Sequence, residues 1–189
     1  YYSDMTGNWD LDGDGYFGEY GDDTGYGGCD KNFEFMVGRI PYYESITDLD
    51  NILTKLIRFT FEPLNMCSWR ESVVLPMEPS DEYTPGYHLG EAINNNFIQS
   101  RSGWLSHRIY EEDYGLSNPP ETTPCSYSNV YNAWIDDHPS VVLWWTHGSY
   151  STAVDIMNTS YAALLNDSLP AFTFQCSCNN AYPEYSINL

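Results

Sequence analysis

Two short stretches carry side chains that could do nucleophilic chemistry. His147 and Gly148 directly follow one apolar run, and Cys176 and Cys178 end another. A thiolate can attack a carbonyl carbon when an imidazole takes its proton and later protonates the leaving group. Glycine has no Cβ, so a carbonyl oxygen can approach its backbone N–H closely. These residues predict acyl transfer by a Cys–His pair, with a strand-capping histidine and a packed cysteine as the alternative.

A second candidate site lies in the segment 8–23. Three aspartates alternate there with other residues, and a glycine follows them for a sharp turn. Hard oxygen ligands at this spacing are typical of a structural Ca²⁺ site. An EF-hand is not expected, because its twelfth position, which needs Glu, is Gly21. The open alternative is a solvated acidic turn. The candidate ligands are Asp10, Asp12, Asp14, the Tyr16 carbonyl and Glu19, with Asp22 as an alternative to Glu19.

The elements that must position these side chains alternate along the chain. Short apolar runs predict strands, and segments with apolar residues at helical spacing predict helices. Such alternation favours an α/β fold with a mostly parallel sheet and helices on both faces, in one domain over 1–189. A long surface loop is expected over 111–128. The predicted strands are 33–41, 72–77, 105–112, 140–149 and 171–178, and the predicted helices are 45–62, 86–99, 128–138 and 159–167.

This fold places function at one edge of the sheet. In open α/β sheets, ligands bind at the carboxyl ends of the strands, where the loops leave. The strand 140–149 delivers His147 and the strand 171–178 delivers the two cysteines. The imidazole and a thiol are therefore expected at neighbouring strand ends.

Charge and hydropathy limit the partners. Seven Lys and Arg against 27 Asp and Glu give a formal net charge of -20. The negative electrostatic field of such a chain repels phosphate backbones and anionic lipid headgroups, so nucleic acid and membrane surfaces are poor partners. No apolar run approaches the roughly 18 residues that a membrane-spanning helix needs, so membrane insertion is not expected.

The compartment is predicted from composition and short motifs. Two glycosylation sequons, at Asn158 and Asn166, and the many Tyr and Trp residues favour an extracellular glycoprotein. A high-salt habitat is the open alternative for the acidic composition. Five cysteines are an odd number, so in an oxidising compartment at least one thiol stays unpaired within the chain. The chain opens without a signal segment, which is expected to have been removed or to lie outside this stretch.

The sequence resembles the gingipain-type cysteine peptidases, relatives of caspases and legumains. That family places His-Gly after one hydrophobic strand and a small residue followed by Cys after the next, as "VVLWWTHGS" and "FTFQCSC" do here. The resemblance covers nearly the whole chain. Four further blocks look similar: "GNWDLDGDGYFGE", "VGRIP", "VLPMEPSDEYTPGYHLGEAI" and "NPPETTPCSYSNVYNAW".

The resemblance implies an extracellular cysteine endopeptidase with a caspase-like three-layer fold. His147 would be the general base and acid, Cys178 the nucleophile, and the N–H groups of Gly148 and Cys178 the oxyanion hole. Gingipains favour Arg or Lys before the scissile bond. The family continues beyond this point, so the domain is expected to be incomplete at its C-terminal end. For the group that orients His147, Glu91 is a weak candidate, more simply interpreted as a solvated helix charge.

The residues also bear on the choice between the two thiols. "FTFQ" has β character and "NNAYP" has turn character, so the chain should leave the sheet near Ser177. Cys178 would then lie on an exposed loop, and Cys176 would remain in the strand in a structural role. The main rival to an enzyme is a calcium-stabilised binding or structural module without turnover. A metal or redox site at Cys176 and Cys178 ranks last, because no partner ligands are found.

Overall fold

The structure is a computed structural model. It describes residues 6–29, 38, 40, 42, 44–79, 81, 83–111, 123–166, 168–180 and 189. The chain divides into two compact units, Tyr1–Leu49 and Asp50–Leu189. The expectation of one domain stays a prediction. Among the described residues, no helix is long and apolar enough to cross a membrane.

Five parallel strands form the sheet of the second unit. In chain order they are β1 (Ser72–Met77), β2 (Leu105–Tyr110), β3 (Thr123–Pro124), β4 (Val141–Trp145) and, last, β8 (Phe172–Cys176). Their order across the sheet is β3-β2-β1-β4-β8. A small antiparallel sheet lies between β4 and β8 in sequence. Its strands are β5 (Gly148–Ser149), β6 (Thr152–Ala153) and β7 (Met157–Asn158).

The described residues form four α-helices, of which the first precedes β1 and the other three lie between strands. They are α1 (Ile46–Phe61), α2 (Tyr87–Ile93), α3 (Tyr127–Asp137) and α4 (Thr159–Ala162). A π-helical turn, Asn94–Ile98, continues α2, and 3₁₀ turns cover Leu64–Met66 and Ser68–Glu71. Hydroxyl caps mark two helix starts: Ser45 Oγ accepts from Asp48 N at 3.2 Å, and Ser126 Oγ accepts from Asn129 N at 3.2 Å.

The core of the second unit has two parts because successive strand residues face opposite ways. Val74, Val142 and Trp144 are buried with Val130 and Ala133 of α3. The intervening residues of β1 bury against other partners. That second cluster is Val73, Leu75, Met77, Ile98 and Tyr110, with Tyr87 and Ile93 of α2 packed against it. The helices α3 and α2 therefore cover opposite faces, which confirms the predicted α/β fold class.

The predicted elements agree with the observed ones over the described residues. Every predicted helix is present, with ends shifted by a few residues, and the last four predicted strands are β1, β2, β4 and β8. The predicted strand 33–41 lies outside the described residues except for Gly38 and Ile40. The predicted loop 111–128 includes the short β3 and the start of α3, while 112–122 are outside the description.

Candidate active site

The register of β4 and β8 brings the two reactive segments together. Trp145 and Cys176 are paired at the carboxyl ends of these strands. The backbone N–H of Thr146 donates to the Cys176 carbonyl at 3.1 Å, so pairing continues one residue further along β4. His147 and Cys178 each lie two residues beyond the same pair. The neighbouring strand ends expected from the sequence are therefore present.

Both side chains line one pocket of about 380 Å³. Its lining residues are Trp145, Thr146, His147, Gln175, Cys176, Ser177 and Cys178. His147 and Cys178 are exposed, whereas Cys176 is half-buried as the last residue of β8. The predicted exit of the chain from the sheet near Ser177 is confirmed. The roles of the two thiols stay predictions.

Gly148 touches the segment that carries Cys178. A Cβ at position 148 would lie 2.7 Å from the Cys178 carbonyl oxygen and 2.9 Å from the Ser177 Cβ. Real Cβ atoms do not approach backbone so closely, so a side chain here would push the two segments apart. Position 148 therefore requires glycine for this contact.

Side-chain hydrogen bonds hold the turn after β8. The buried Trp144 indole donates from Nε1 to Ser177 Oγ at 3.1 Å, and the Ser177 hydroxyl donates to Asn180 Oδ1. Asn180 Nδ2 donates in turn to the carbonyls of Ser149, at 2.6 Å, and Thr152, at 3.3 Å. These bonds link the turn to the β5–β6 hairpin, so the exposed Cys178 lies on a well-anchored loop.

A buried carboxyl group, which the sequence reasoning missed, lies at the same edge. Glu78 follows β1 directly and is 8% exposed. Its N–H donates to the Trp145 carbonyl at 2.9 Å, and its side chain accepts from the Thr146 hydroxyl. The sequence does contain a signal for Glu78, because this residue follows an apolar strand as His147 does. It was not recognised because a single acidic residue after a strand is common.

The surroundings of Glu78 favour its neutral form. Burial raises the pKa of this carboxyl most strongly, and the charges of Asp155 and Glu111 raise it further. The Thr146 hydrogen bond and His147 act in the opposite direction without cancelling the rise. Thr146 Oγ1 also lies 3.0 Å from the Val154 carbonyl, which can only accept. One hydroxyl proton cannot serve both acceptors well, so a protonated Glu78 fits this arrangement best.

Glu91 is placed elsewhere. Its Oε1 accepts from Arg108 Nη1 at 2.9 Å and from the Tyr110 hydroxyl at 2.9 Å. The residue is half-buried in this ion pair, so it is neither a solvated charge nor part of the lining around His147. Burial, followed by the contact with Glu91, raises the pKa of Tyr110. Glu91 therefore helps to hold α2 against β2.

All five cysteines are free thiols. Cys29 and Cys125 are buried, and Cys67 and Cys176 are half-buried. Burial raises the pKa of Cys125 strongly, and the nearby Glu78, Glu111 and Asp155 carboxylates add to the rise. Among the described residues, no cysteine belongs to a group of three or more potential metal ligands. The pair at Cys176 and Cys178 therefore has no further ligands there.

The aspartate segment of the first unit forms a compact loop. Carboxylate oxygens of Asp10, Asp12 and Asp23 lie within 4.8 Å of one another. Asp10 and Asp12 were expected as ligands, whereas Asp23 was not. Of the other expected ligands, Asp14 uses Oδ1 to accept from Tyr16 N at 2.8 Å, and neither Asp14 nor Glu19 joins this cluster.

Asp23 organises the loop. Oδ1 accepts from Leu11 N at 2.6 Å, and Oδ2 accepts from Gly18 N and Glu19 N at 2.9 and 3.1 Å. Burial by the loop acts to raise its pKa, but these backbone hydrogen bonds outweigh it and the pKa is lowered. Burial and four neighbouring aspartates raise the pKa of Glu19. The loop thus concentrates negative charge that a cation would relieve, and oxygens this close fit a single Ca²⁺ coordination sphere.

Comparisons with known proteins bear on the fold. No protein family model matches the chain, and no curated protein matches it. A solved structure, that of the Arg-specific cysteine proteinase gingipain R, matches with a TM-score of 0.56 at 16% sequence identity. The match covers 77% of this chain and 32% of that chain, so this chain spans about a third of that protein. At this identity the likeness shows the fold alone: the chain has a fold similar to that of gingipain R.

Proposed function

We propose that the chain is a cysteine endopeptidase in which Cys178 and His147 are the catalytic pair. The observation that carries the proposal is the shared pocket, where the register of β4 and β8 exposes an imidazole and a thiol at the same edge. Protein or peptide chains are the proposed substrates. The fold similarity to gingipain R, a cysteine proteinase, supports the proposal.

The proposed reaction uses groups of this chain alone. His147 takes the proton of the Cys178 thiol, and Sγ attacks the carbonyl carbon of the scissile peptide bond. The N–H groups of Gly148 and Cys178 donate to the resulting oxyanion. When the C–N bond breaks, His147 returns its proton to the leaving amine. Water, activated by His147, then hydrolyses the thioester, releasing the carboxylic acid and restoring the thiol.

Glu78 is proposed as a positioning residue. Its carboxyl group is hydrogen-bonded to the hydroxyl of Thr146, the residue before His147, and its N–H donates to the carbonyl of Trp145. It thus holds the end of β4 in the conformation that presents the imidazole. The carboxyl group and the imidazole interact electrostatically, so protonation of His147 during the reaction favours ionisation of the otherwise neutral Glu78. A negative charge there stabilises an imidazolium.

Covalent labelling with an affinity-tagged acyloxymethyl ketone peptide tests the assignment. We expect the label on Cys178, with Cys176 and the buried Cys125 unmodified, because thiolate formation at Cys125 is opposed by its raised pKa. Cys178→Ala should lower turnover by about 10³-fold or more, and Cys176→Ala should keep most of it. Label on Cys176, or full activity in Cys178→Ala, would show that Cys178 is not the nucleophile.

A binding or structural module with the same fold is the second candidate. The observation that favours it is the aspartate loop, which suits a stabilising ion rather than catalysis. Unlabelled Cys178 and no cleavage of a mixed peptide library would favour this module. Activity that persists in His147→Ala would instead contradict the assignment of His147 to the catalytic pair.

We also propose that the aspartate loop binds Ca²⁺ as a structural ion. Asp10, Asp12 and Asp23 would contribute oxygens, and Ca²⁺ would neutralise part of their charge. Adding Ca²⁺ should raise the unfolding free energy by RT ln(1 + [L]/Kd), about 2.7 kcal/mol at a hundredfold excess over Kd. Protection of residues 6–29 from proteolysis should rise in parallel.

The matched variants are Asp12→Ala and Asp50→Ala. Both remove one exposed carboxylate, but Asp50 lies on α1 outside the cluster. We expect the Ca²⁺ response to vanish only in Asp12→Ala. Identical melting curves with Ca²⁺ and with chelator in the wild type would reduce the loop to an acidic turn.

An extracellular location is proposed from the two sequons. Asn166 is exposed, whereas Asn158 is half-buried and caps α4 by accepting from Tyr161 N at 3.0 Å. A glycan is therefore expected at Asn166 before Asn158. Mass spectrometry of the protein from its native source tests this expectation, and unmodified asparagines in a cytoplasmic fraction would contradict it.

A further inference from the structure

A second pocket adjoins the proposed catalytic pocket. It measures about 320 Å³, within the range of sites that take small ligand groups. Trp145 lines both pockets. The other lining residues of this second pocket, called the side pocket below, are Tyr83, Thr84, Pro85, Gly86, His88 and Leu89.

Backbone contacts link the side pocket to the catalytic edge. A Cβ at Gly86 would lie 2.5 Å from the Glu78 carbonyl oxygen, so the start of α2 packs directly on Glu78. Glu78 N donates to the Trp145 carbonyl. The side pocket and His147 are therefore positioned by the same residue, and a peptide held at Cys178 has a side-chain pocket next to it.

The lining chemistry selects the occupant. Tyr83, Pro85, Leu89 and Trp145 supply apolar surface, and Thr84 and His88 supply polar groups. Within the described part of the chain, no Asp or Glu lines this pocket. Asp81 stands outside the lining, and its Oδ1 accepts from Tyr83 N at 2.8 Å, which holds the pocket loop in a turn.

We infer that the side pocket binds an apolar, preferably aromatic, side chain of a peptide substrate next to the scissile bond. This inference rests on the proposed peptidase function and names its substrate class. Among the described lining residues, a buried Arg or Lys side chain would find no carboxylate partner, which is strongly unfavourable. The net charge of -20 disfavours an acidic side chain. An aromatic ring instead gains contacts with Trp145 and Tyr83. The preference would differ from that of the Arg-specific proteinase of similar fold.

The first experiment compares fluorogenic peptides that differ only in the residue before the scissile bond. We expect kcat/KM for Phe to exceed that for Arg by about tenfold or more. Leu89→Asp and Thr84→Asp each add a carboxylate to the lining and should shift the Phe-to-Arg ratio toward Arg by about tenfold. Leu164→Asp adds the same charge at an exposed leucine outside the pocket and should leave the ratio unchanged. An Arg preference in the wild type, or an unchanged ratio in both lining variants, would overturn the inference.

A binding experiment separates this inference from the proposed function. Calorimetry on Cys178→Ala with the Phe and Arg peptides needs no turnover. Tighter binding of the Phe peptide, lost in Leu89→Asp, would support the side pocket even if the wild type cleaves nothing and the peptidase proposal fails. Equal binding of both peptides, or tighter binding of the Arg peptide, would show that the inference is wrong whatever the activity.

Discussion

The two edges of the parallel sheet each carry a histidine beside hydroxyl and carboxyl groups, yet they differ in how those groups are used. At the amino edge, His107 of β2 lies 2.6 Å from Asp137 through Nδ1 and 3.0 Å from Thr123 Oγ1 through Nε2. At the carboxyl edge, the exposed His147 shares a pocket with the exposed thiol of Cys178. Both nitrogens of His107 are therefore occupied in binding neighbouring elements together.

Pocket volume alone would identify the amino edge, rather than the carboxyl edge, as the candidate active site. The amino-edge pocket, lined by His107, Thr123 and Asp137 among others, measures about 510 Å³, against about 380 Å³ around His147. The larger pocket contains no cysteine, and its histidine links β2 to β3 and to the end of α3. The comparison teaches that a nucleophile beside an exposed imidazole identifies a candidate active site better than volume does.

The largest expected effect separates the two histidines. His147→Ala should lower kcat/KM by about 10³-fold or more, because the thiol loses its base and the leaving amine its acid. His107→Ala should keep activity within a few-fold of the wild type. It should lower the melting temperature by about 2–4 °C, because it removes two half-exposed hydrogen bonds that together contribute about 1 kcal/mol to stability. Peptide turnover and thermal melting of both variants measure this. Equal losses of turnover would remove the functional distinction between the edges.

The next effect tests how the carboxyl edge is assembled. Gly148→Ala introduces a Cβ at 2.7 Å from the Cys178 carbonyl oxygen, so the nucleophile loop must move. A displacement of about 1 Å at a reacting atom can cost about 10²-fold, and we expect a loss of that order in kcat. Ser149→Ala is the matched control, because the exposed Ser149 contributes its backbone carbonyl to Asn180 and keeps it in the variant. Wild-type kinetics in Gly148→Ala would mean that the contact does not constrain catalysis.

Much of this arrangement was predictable, because its determinants are local in the sequence. Apolar runs alternating with helical spacing predicted β1, β4 and β8, and the side chains that follow β4 and β8 had to meet because these strands run parallel. The position of Cys178 outside the sheet followed from the turn residues after β8.

The features that were not predicted depend on contacts between residues that lie far apart in the sequence. Glu78 becomes distinctive only because Gly86 packs on it and Thr146 bonds to it, and neither contact is visible in the local pattern. Asp23 joins Asp10 and Asp12 because the loop folds back over 13 residues, which spacing alone does not determine. The role of His107 was missed for the same reason: its partners Thr123 and Asp137 are 16 and 30 residues away.

The smallest expected effect distinguishes the carboxyl groups of the two edges by pH. The pKa of Glu78 is raised above 4.5 in the folded chain, so folding favours its protonated form. The resulting stability is present in full below the unfolded-state pKa and is lost as pH rises through the folded-state pKa. Glu78→Gln keeps a neutral side chain, so its melting temperature should match the wild type near pH 4 and exceed it at pH 8.

The matched variant at the amino edge is Asp137→Asn. It should melt at a lower temperature than the wild type at pH 8, because His107 loses a charged acceptor. Turnover should fall in Glu78→Gln, by about tenfold, and stay near wild type in Asp137→Asn. A Glu78→Gln melting temperature that differs from the wild type by the same amount at both pH values would mean that folding does not raise the pKa of Glu78, and the assignment of a neutral acid at the carboxyl edge would be withdrawn.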